Sequence, residues 1–382
     1  MRRMMRWKVL GIALLSVALL AMVALGGGGW YYSGVLEDGA FIPDHDDPVF
    51  DLKIVAVGQG AITLRPGPDS EEDGPWTEPG VWGLELEAAY HRVGEISSVS
   101  TDEVVREFIL LGDRPAVGQM ARMDSYSFPD DPETAHGIPY RDVSISSPIG
   151  ALPAWFIDGD KSAWAIFVHG QGAKRQEALR MVPSMVEAGF PSLVITYRND
   201  EGGPASADGY YRFGQTEWED LEAAIQYALD QGADDVLLVG YSMGGAIILN
   251  TMYRSSLAGN VIGMILDAPM LDFNATVDLG ARQRGAPGIL TSLGKAIAAI
   301  RFDIDWDAFD YLSRVDEIAV PTLLFHGDAD TKVPIETSDE FAERSDLVTY
   351  VRVPDATHVR SWNTDASRYE NAVRKFLNGL SR

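Results

Sequence analysis

Ser242 stands at the centre of Gly240-Tyr241-Ser242-Met243-Gly244, the one G-x-S-x-G pattern in this 382-residue chain. Glycines two positions either side of a serine suit a sharp turn from a strand into a helix, where larger side chains would collide. A serine hydroxyl is a poor nucleophile at neutral pH unless a base takes its proton. Six histidines are available, and His358 lies in a polar loop between an apolar run and the last amphipathic segment. Upstream, Pro321-Thr322-Leu323-Leu324-Phe325-His326-Gly327-Asp328-Ala329-Asp330 ends in two carboxylates just past an apolar stretch. The chain order is therefore serine, acid, histidine, which is one of the orders a nucleophile–base–orienter set adopts. A further element, His169-Gly170-Gln171-Gly172, also follows an apolar run. There the backbone N–H groups of Gln171 and Met243 form the natural pair to face a developing oxyanion. A turn serine with a purely structural role carries the same five-residue pattern; the strand before Ser242 and the helix after it are what the chemistry requires.

The elements that must position these residues alternate regularly after Pro139. Asp142–Ser146 and Leu152–Ile157 predict an opening hairpin. Trp164–Val168, Ser192–Tyr197, Val236–Val239, Val261–Leu266, Thr322–Phe325 and Thr349–Val353 predict short buried strands. Between them, Arg175–Ala188, Thr216–Gln231, Ala246–Tyr253 and Ala366–Leu380 predict helices. Buried strands alternating with helices imply a largely parallel sheet covered on both faces.

At these residues the chain resembles a known family. Residues from about 139 to 382 resemble the α/β-hydrolase superfamily, near its serine aminopeptidase-like and dipeptidyl-aminopeptidase-like branches. His326-Gly327-Asp328-Ala329-Asp330-Thr331-Lys332-Val333-Pro334 matches that superfamily's H-G-x-x-D-x-x-V-P segment. The resemblance thereby implies Asp330, rather than Asp328, as the acid of a Ser242–His358–Asp330 triad, and Ala356-Thr357-His358 matches the segment holding the base. Tyr197-Arg198-Asn199-Asp200 departs from the usual D-Y-R-G and is assigned no role. His169 and His326 are expected to orient their loops. The implied activity is hydrolysis of an acyl, ester-type bond in a small molecule through an acyl-enzyme, with no cofactor and no metal. An aminopeptidase-like amide hydrolase, a cell-envelope acyltransferase and a non-enzymatic small-molecule binder stay open as alternatives. Between Asp267 and Pro321 the chain is too long for a simple connection, which predicts a cap insert over about 268–318. Within it Ile289, Leu293, Ile297 and Ile300, with Ala296, fall at helical spacing. In this superfamily an insert here commonly covers the nucleophile, so that face either walls an acyl pocket or packs on the sheet edge; with the acidic surface, a wall there implies neutral, short-to-medium acyl groups.

The N-terminus speaks to location. Arg2, Arg3, Arg6 and Lys8 precede an uncharged stretch from Val9 to Gly29, followed by Trp30, Tyr31 and Tyr32. The length suits a membrane-spanning helix with an interfacial aromatic belt, although Ala24-Leu25-Gly26 offers a signal-peptidase site. Residues 1–30 are read as a membrane anchor or signal, with the remainder outside the cytoplasm, or secreted if the segment is cleaved. Residues 31–138, rich in Pro, Gly and acids, predict a small β-rich accessory region. Phe50–Val57 and Ala61–Arg65 read as strands and Thr101–Leu111 as a short helix capped by Thr101 or Asp102. Asp44-His45-Asp46-Asp47 has ligand-type side chains, but neighbours this close point apart, and a solvated loop is the better reading. A formal net charge of -25 repels phosphate backbones, so nucleic acid is not an expected partner. The absence of cysteine excludes disulfides, thiolate metal sites and cysteine nucleophiles.

Overall fold

The computed structural model describes residues 2–44, 48–67 and 75–380. His45, Asp46 and Asp47 of the acidic loop, and Pro68 to Gly74, lie outside the described residues. The chain opens with one long helix, α1 (Arg2–Leu36), continued by a π-helical turn at Glu37–Phe41. It is long and apolar enough to cross a membrane.

Six strands follow: β1 (Leu52–Val57), β2 (Ala61–Pro66), β3 (Trp82–Leu86), β4 (Ala89–Val99), β5 (Val104–Ile109) and β6 (Met120–Asp124). They close into a barrel in the order β1-β2-β5-β4-β3-β6. Its core includes Leu52, Ile54, Leu64, Trp82, Leu84, Val93 and Phe108, drawn from alternating strand positions. The expected helix over Thr101–Leu111 is not formed. Its place is taken by β5, in which Val104, Arg106 and Phe108 point inward at every second residue. The inward arginine hides this period of two in the sequence. Buried Arg106 is satisfied by the carbonyls of Gly94, Trp76, Glu78 and Gly80.

The second unit contains α2 (Pro132–His136), β7 (Arg141–Ser147), β8 (Gly150–Ile157), β9 (Ala163–Val168), α3 (Val182–Glu187), β10 (Ser192–Ile195), α4 (Trp218–Asp230), β11 (Asp235–Tyr241), α5 (Met243–Arg254) and β12 (Val261–Asp267). It ends with α6 (Phe273–Gln283), α7 (Gly288–Phe302), β13 (Thr322–Gly327), α8 (Ile335–Arg344), β14 (Val348–Val353), α9 (Ser361–Thr364) and α10 (Ala366–Gly379). Eight strands form one sheet, ordered β14-β13-β12-β11-β9-β10-β8-β7. Neighbours from β14 to β10 run parallel, and β8 runs antiparallel to both β10 and β7.

Alternation along each strand feeds two cores. On β9, Trp164, Ile166 and Val168 join one face with Leu221 of α4 and Ile247 of α5. Ala165 and Phe167 join the other with Met185 of α3 and Tyr369 of α10. The single helix expected over Arg175–Ala188 is instead a 3-10 stretch, Arg175–Arg180, followed by α3. Pro183 has no N–H to give and starts a new helix at its first turn. Likewise α5 begins at Met243 directly after Ser242, earlier than the expected Ala246.

The insert between β12 and β13 contains the expected helix, but its apolar residues go elsewhere. Leu293 and Ile297 of α7 pack against Gly29 of α1, while Ile289 and Ile300 are 59% and 86% exposed. The buried side of this helix is thus taken up by α1.

Candidate active site

Parallel strands end together, and the residues singled out above lie at that carboxyl edge. Ser242 sits between β11 and α5 with φ 49°, ψ -115°, a strained conformation for a residue with a Cβ. Neighbouring chain holds it there. Ser242 N–H donates to the Asp267 carbonyl (3.0 Å), and its own carbonyl accepts from Gly245 and Met270 (2.9 and 3.0 Å). Gly244 is required because a Cβ there would lie 2.1 Å from the Val168 carbonyl oxygen. Close approach of α5 to β9 thus brings the turn at Ser242 against the loop that follows β9.

Three side chains form a hydrogen-bonded chain. Ser242 Oγ lies 2.9 Å from His358 Nε2, and His358 Nδ1 lies 2.7 Å from Asp330 Oδ2. His358 belongs to the loop after β14, and Asp330 to the turn after β13. With a carboxylate on its Nδ1 side, His358 carries its proton there and offers Nε2 to the serine hydroxyl. Asp330 also accepts from His326 Nε2 (3.0 Å) and from the N–H groups of Lys332 and Val333 (2.7 and 2.9 Å). Burial alone would raise its pKa. The charge of His358 and the hydrogen bonds from both histidines outweigh that and hold it well below the usual carboxylate range. Asp328 is not part of this chain; its carboxylate accepts from the Asp355 N–H at 2.8 Å and braces the following loop.

The loop His169–Gly172 runs beside the serine, since a Cβ on Gly170 would be 3.2 Å from Ser242 Cβ. Gln171 and Met243, the expected oxyanion donors, flank that point. Among the described residues, neither backbone N–H is engaged by another backbone carbonyl outside regular elements. The loop is fixed from behind. His169 stacks on Tyr197 (centroids 4.5 Å apart), its Nδ1 donates to the Gly170 carbonyl, and its Nε2 is 2.7 Å from Asp200 Oδ2. Burial lowers the pKa of His169, but the adjoining Asp200 carboxylate and the Gly170 carbonyl outweigh it and raise it overall. Asp200, given no role from sequence, is therefore the partner of His169.

Two buried residues were missed altogether. Glu177 accepts the Gly170 N–H at 2.8 Å, and Arg180 donates to the carbonyls of Glu177 and Val359. No sequence signal marks them, because they lie in a stretch that reads as an ordinary amphipathic helix. The barrel touches the same site from outside. Thr357 donates to Glu78 at 2.7 Å, and Lys174 N–H donates to the Tyr126 hydroxyl at 2.9 Å. Between barrel and loop lies a cavity of about 1070 Å³, bordered by Tyr90, Asp124, Tyr126, Gly172 and Lys174. It does not include Ser242, Asp330 or His358.

The model of the alpha/beta hydrolase family matches residues 165–372, more than half of the sequence. The chain belongs to the α/β-hydrolase family. An esterase of Pyrococcus furiosus is similar to this α/β-hydrolase at 22% identity, over 64% of this chain and 93% of that one, with a TM-score of 0.51. A second crystal form of that esterase aligns at 23% identity, over 64% and 91%, with a TM-score of 0.50. An esterase of Exiguobacterium antarcticum aligns at 18% identity, over 62% of this chain and all of that one, with a TM-score of 0.48. These likenesses concern the fold of this α/β-hydrolase. No curated protein matches the chain. The esterase neighbours do not single out the aminopeptidase-like branches expected from the sequence.

Proposed function

We propose that this α/β-hydrolase is a membrane-anchored serine hydrolase that cleaves an ester-type acyl bond, with Ser242 as nucleophile, His358 as base and Asp330 as its orienting acid. The observation that carries the reading is the continuous hydrogen-bonded chain Ser242–His358–Asp330 at 2.9 and 2.7 Å. In the first half-reaction, Ser242 Oγ attacks the acyl carbon and its proton passes to His358 Nε2. The carbonyl oxygen becomes an oxyanion facing the N–H groups of Gln171 and Met243. As the tetrahedral species collapses, the leaving oxygen takes the proton from His358 and departs as an alcohol. Water then gives a proton to His358, attacks the acyl-enzyme, and releases a carboxylic acid and the restored serine. Asp330 stays ionised and stabilises the imidazolium in both halves.

Retention of the N-terminal segment as an anchor is part of the same reading. What supports it is length: α1 runs from Arg2 to Leu36, and its apolar part exceeds the usual apolar region of a signal peptide. The cationic end stays in the cytoplasm and the catalytic domain lies outside.

The test is covalent labelling of the full-length protein with a fluorophosphonate, followed by turnover of an ester series of increasing acyl length. Labelling and hydrolysis that vanish together in Ser242→Ala support the reading. A wild-type chain that neither labels nor turns over esters points to a binding protein. Rapid cleavage of amino-acid anilides with esters ignored points to an aminopeptidase-like enzyme.

A further inference from the structure

We infer that the turn between α6 and α7, with the first turn of α7, is a second membrane contact that seats the hydrolase domain on a bilayer containing anionic lipid. This rests on the reading of α1 as a retained anchor.

The argument begins with depth. The residues from Val9 to Gly29 have about the length that spans the hydrocarbon core at roughly 1.5 Å per residue, and Trp30, Tyr31 and Tyr32 follow as an interfacial aromatic belt, which puts Gly28 and Gly29 at the outer boundary. α7 meets α1 at that level. A Cβ on Gly28 would lie 2.9 Å from Leu290 Cδ2, and one on Gly29 would lie 2.9 Å from Ile297 Cδ1 and 3.0 Å from Leu293 Cβ. The two helices touch because these positions carry no side chain, as in close-packed helix pairs within lipid. Further along, Gly294 meets Tyr32, and Arg301 bonds Ser33 (2.5 Å) and Glu37 (2.9 Å). Contacts advance together on both helices, so α7 runs parallel to α1 with its N-terminal end nearest the bilayer. Leu290 and its neighbour Ile289 are thereby held level with the end of the apolar span.

Composition agrees with that placement. Ile289, Ser292, Ala296 and Ile300 form one exposed stripe at helical spacing, with no charge. The two cations of α7 are turned away from it, Lys295 to Asp278 (2.6 Å) and Arg301 to Glu37. From Leu279 to Phe302 there are four basic residues and no acid, in a chain with 56 acidic and 31 basic residues. Two of the four, Arg282 in the last turn of α6 and Arg284 directly after it, are exposed; Arg284 donates to the Gly280 carbonyl, and neither pairs with a carboxylate among the described residues. Exposed arginines beside an apolar helix end, at the level where a span leaves the hydrocarbon, suit phosphate headgroups. The rest of this acidic surface is repelled by them.

The absence of cysteine allows single-site labelling. Full-length chains carrying Ile289→Cys, Ile300→Cys or Leu347→Cys are labelled with an environment-sensitive fluorophore and reconstituted in nanodiscs. The discs hold phosphatidylcholine alone or with phosphatidylglycerol, plus a spin-labelled lipid quencher. Leu347 is exposed just before β14, at the opposite end of the strands from the site. Quenching is expected to be several-fold stronger at position 289 than at 347, and intermediate at 300. Adding Arg282→Glu and Arg284→Glu to Ile289→Cys should reduce quenching in discs with phosphatidylglycerol and leave it nearly unchanged in phosphatidylcholine alone. Equal quenching at 289 and 347, in protein that stays with the discs at alkaline pH, overturns the seat while leaving the anchor in place. Disulfide-linked dimers of Ile289→Cys would assign the face to a second copy and also overturn it. A chain that leaves the discs overturns the anchor and this inference with it. Unchanged quenching in the double arginine variant removes the anionic lipid. Fluorophosphonate labelling reads the catalytic assignment separately in every sample.

Discussion

Arg180 Nη1 donates to the carbonyl of Val359 across 2.7 Å, tying the residue after the proposed base to the stretch that holds the loop of Gln171. Val359 needs such a tie. It has φ 55°, a costly conformation for a β-branched residue, and it persists only where surrounding contacts fix it. On its other side Arg180 meets Glu177, whose carboxylate accepts the Gly170 N–H. One buried cation therefore sets the distance between the loop of His358 and the loop of Gln171.

Replacing it should separate those loops. Arg180→Met is expected to lower kcat by roughly 10²-fold, the scale for a displacement of about 1 Å at reacting groups. KM should change much less. It should also cost about 3–5 kcal/mol of stability, because Glu177 would be left buried without its partner. Stopped-flow acylation and denaturant unfolding measure the two effects. A stability loss with kcat unchanged would show that Arg180 only supports packing.

Asp330 and Asp328 stand two residues apart with different partners. Asp330→Asn should lower kcat by about 10⁴-fold, through loss of the tautomer that presents Nε2 to Ser242. Asp328→Asn removes only the contact to the Asp355 N–H and should retain most activity. Equal losses in the two variants would refute the assignment of the acid.

The same carboxylate should leave a mark on acid stability. Its folded pKa lies below the unfolded value of about 3.9, so its contribution is complete above that value. As pH falls the unfolded chain binds the proton first, and the contribution is lost on the way down to the folded pKa. Between pH 5 and 2 (roughly the window those values define), wild-type protein should lose stability more steeply than Asp330→Asn. Parallel curves from denaturant unfolding at each pH would count against the hydrogen-bond network around Asp330.

Close contact between α1 and α7 gives a prediction independent of catalysis. Gly29→Ala should destabilise the folded chain in detergent by about 1–3 kcal/mol through overpacking against Ile297 and Leu293. Gly26→Ala meets nothing within 4 Å and should be nearly silent. Thermal unfolding of the two variants separates the outcomes.

Mass spectrometry of the mature protein tests the anchor. An N-terminus at or near Met1 is expected, with the catalytic domain open to protease added outside spheroplasts. A terminus near Gly27 would instead identify a cleaved signal and a released enzyme.

What the sequence by itself determined is local or periodic. The strand–serine–helix turn around Ser242 follows from neighbours along the chain, as does the carboxyl-edge position of Asp330. Buried strands alternating with helices are legible because each buries a continuous apolar run, and a charge-free stretch from Val9 to Leu36 after a basic start reads directly as a span or signal. Only the tertiary structure decided the rest, because those choices depend on residues far apart in sequence. Arg106 occupies an inward strand position that a charged side chain disguises, and it is tolerated only because four carbonyls of the closed barrel converge on it. The partnership of Glu177 and Arg180 with Gly170 and Val359 joins segments up to 179 residues apart. The apolar face of α7 was visible as a period of 3.6, but a period says only that a helix has an apolar side. Two glycines in α1, more than 260 residues away, provided the groove that Leu290, Leu293 and Ile297 fill.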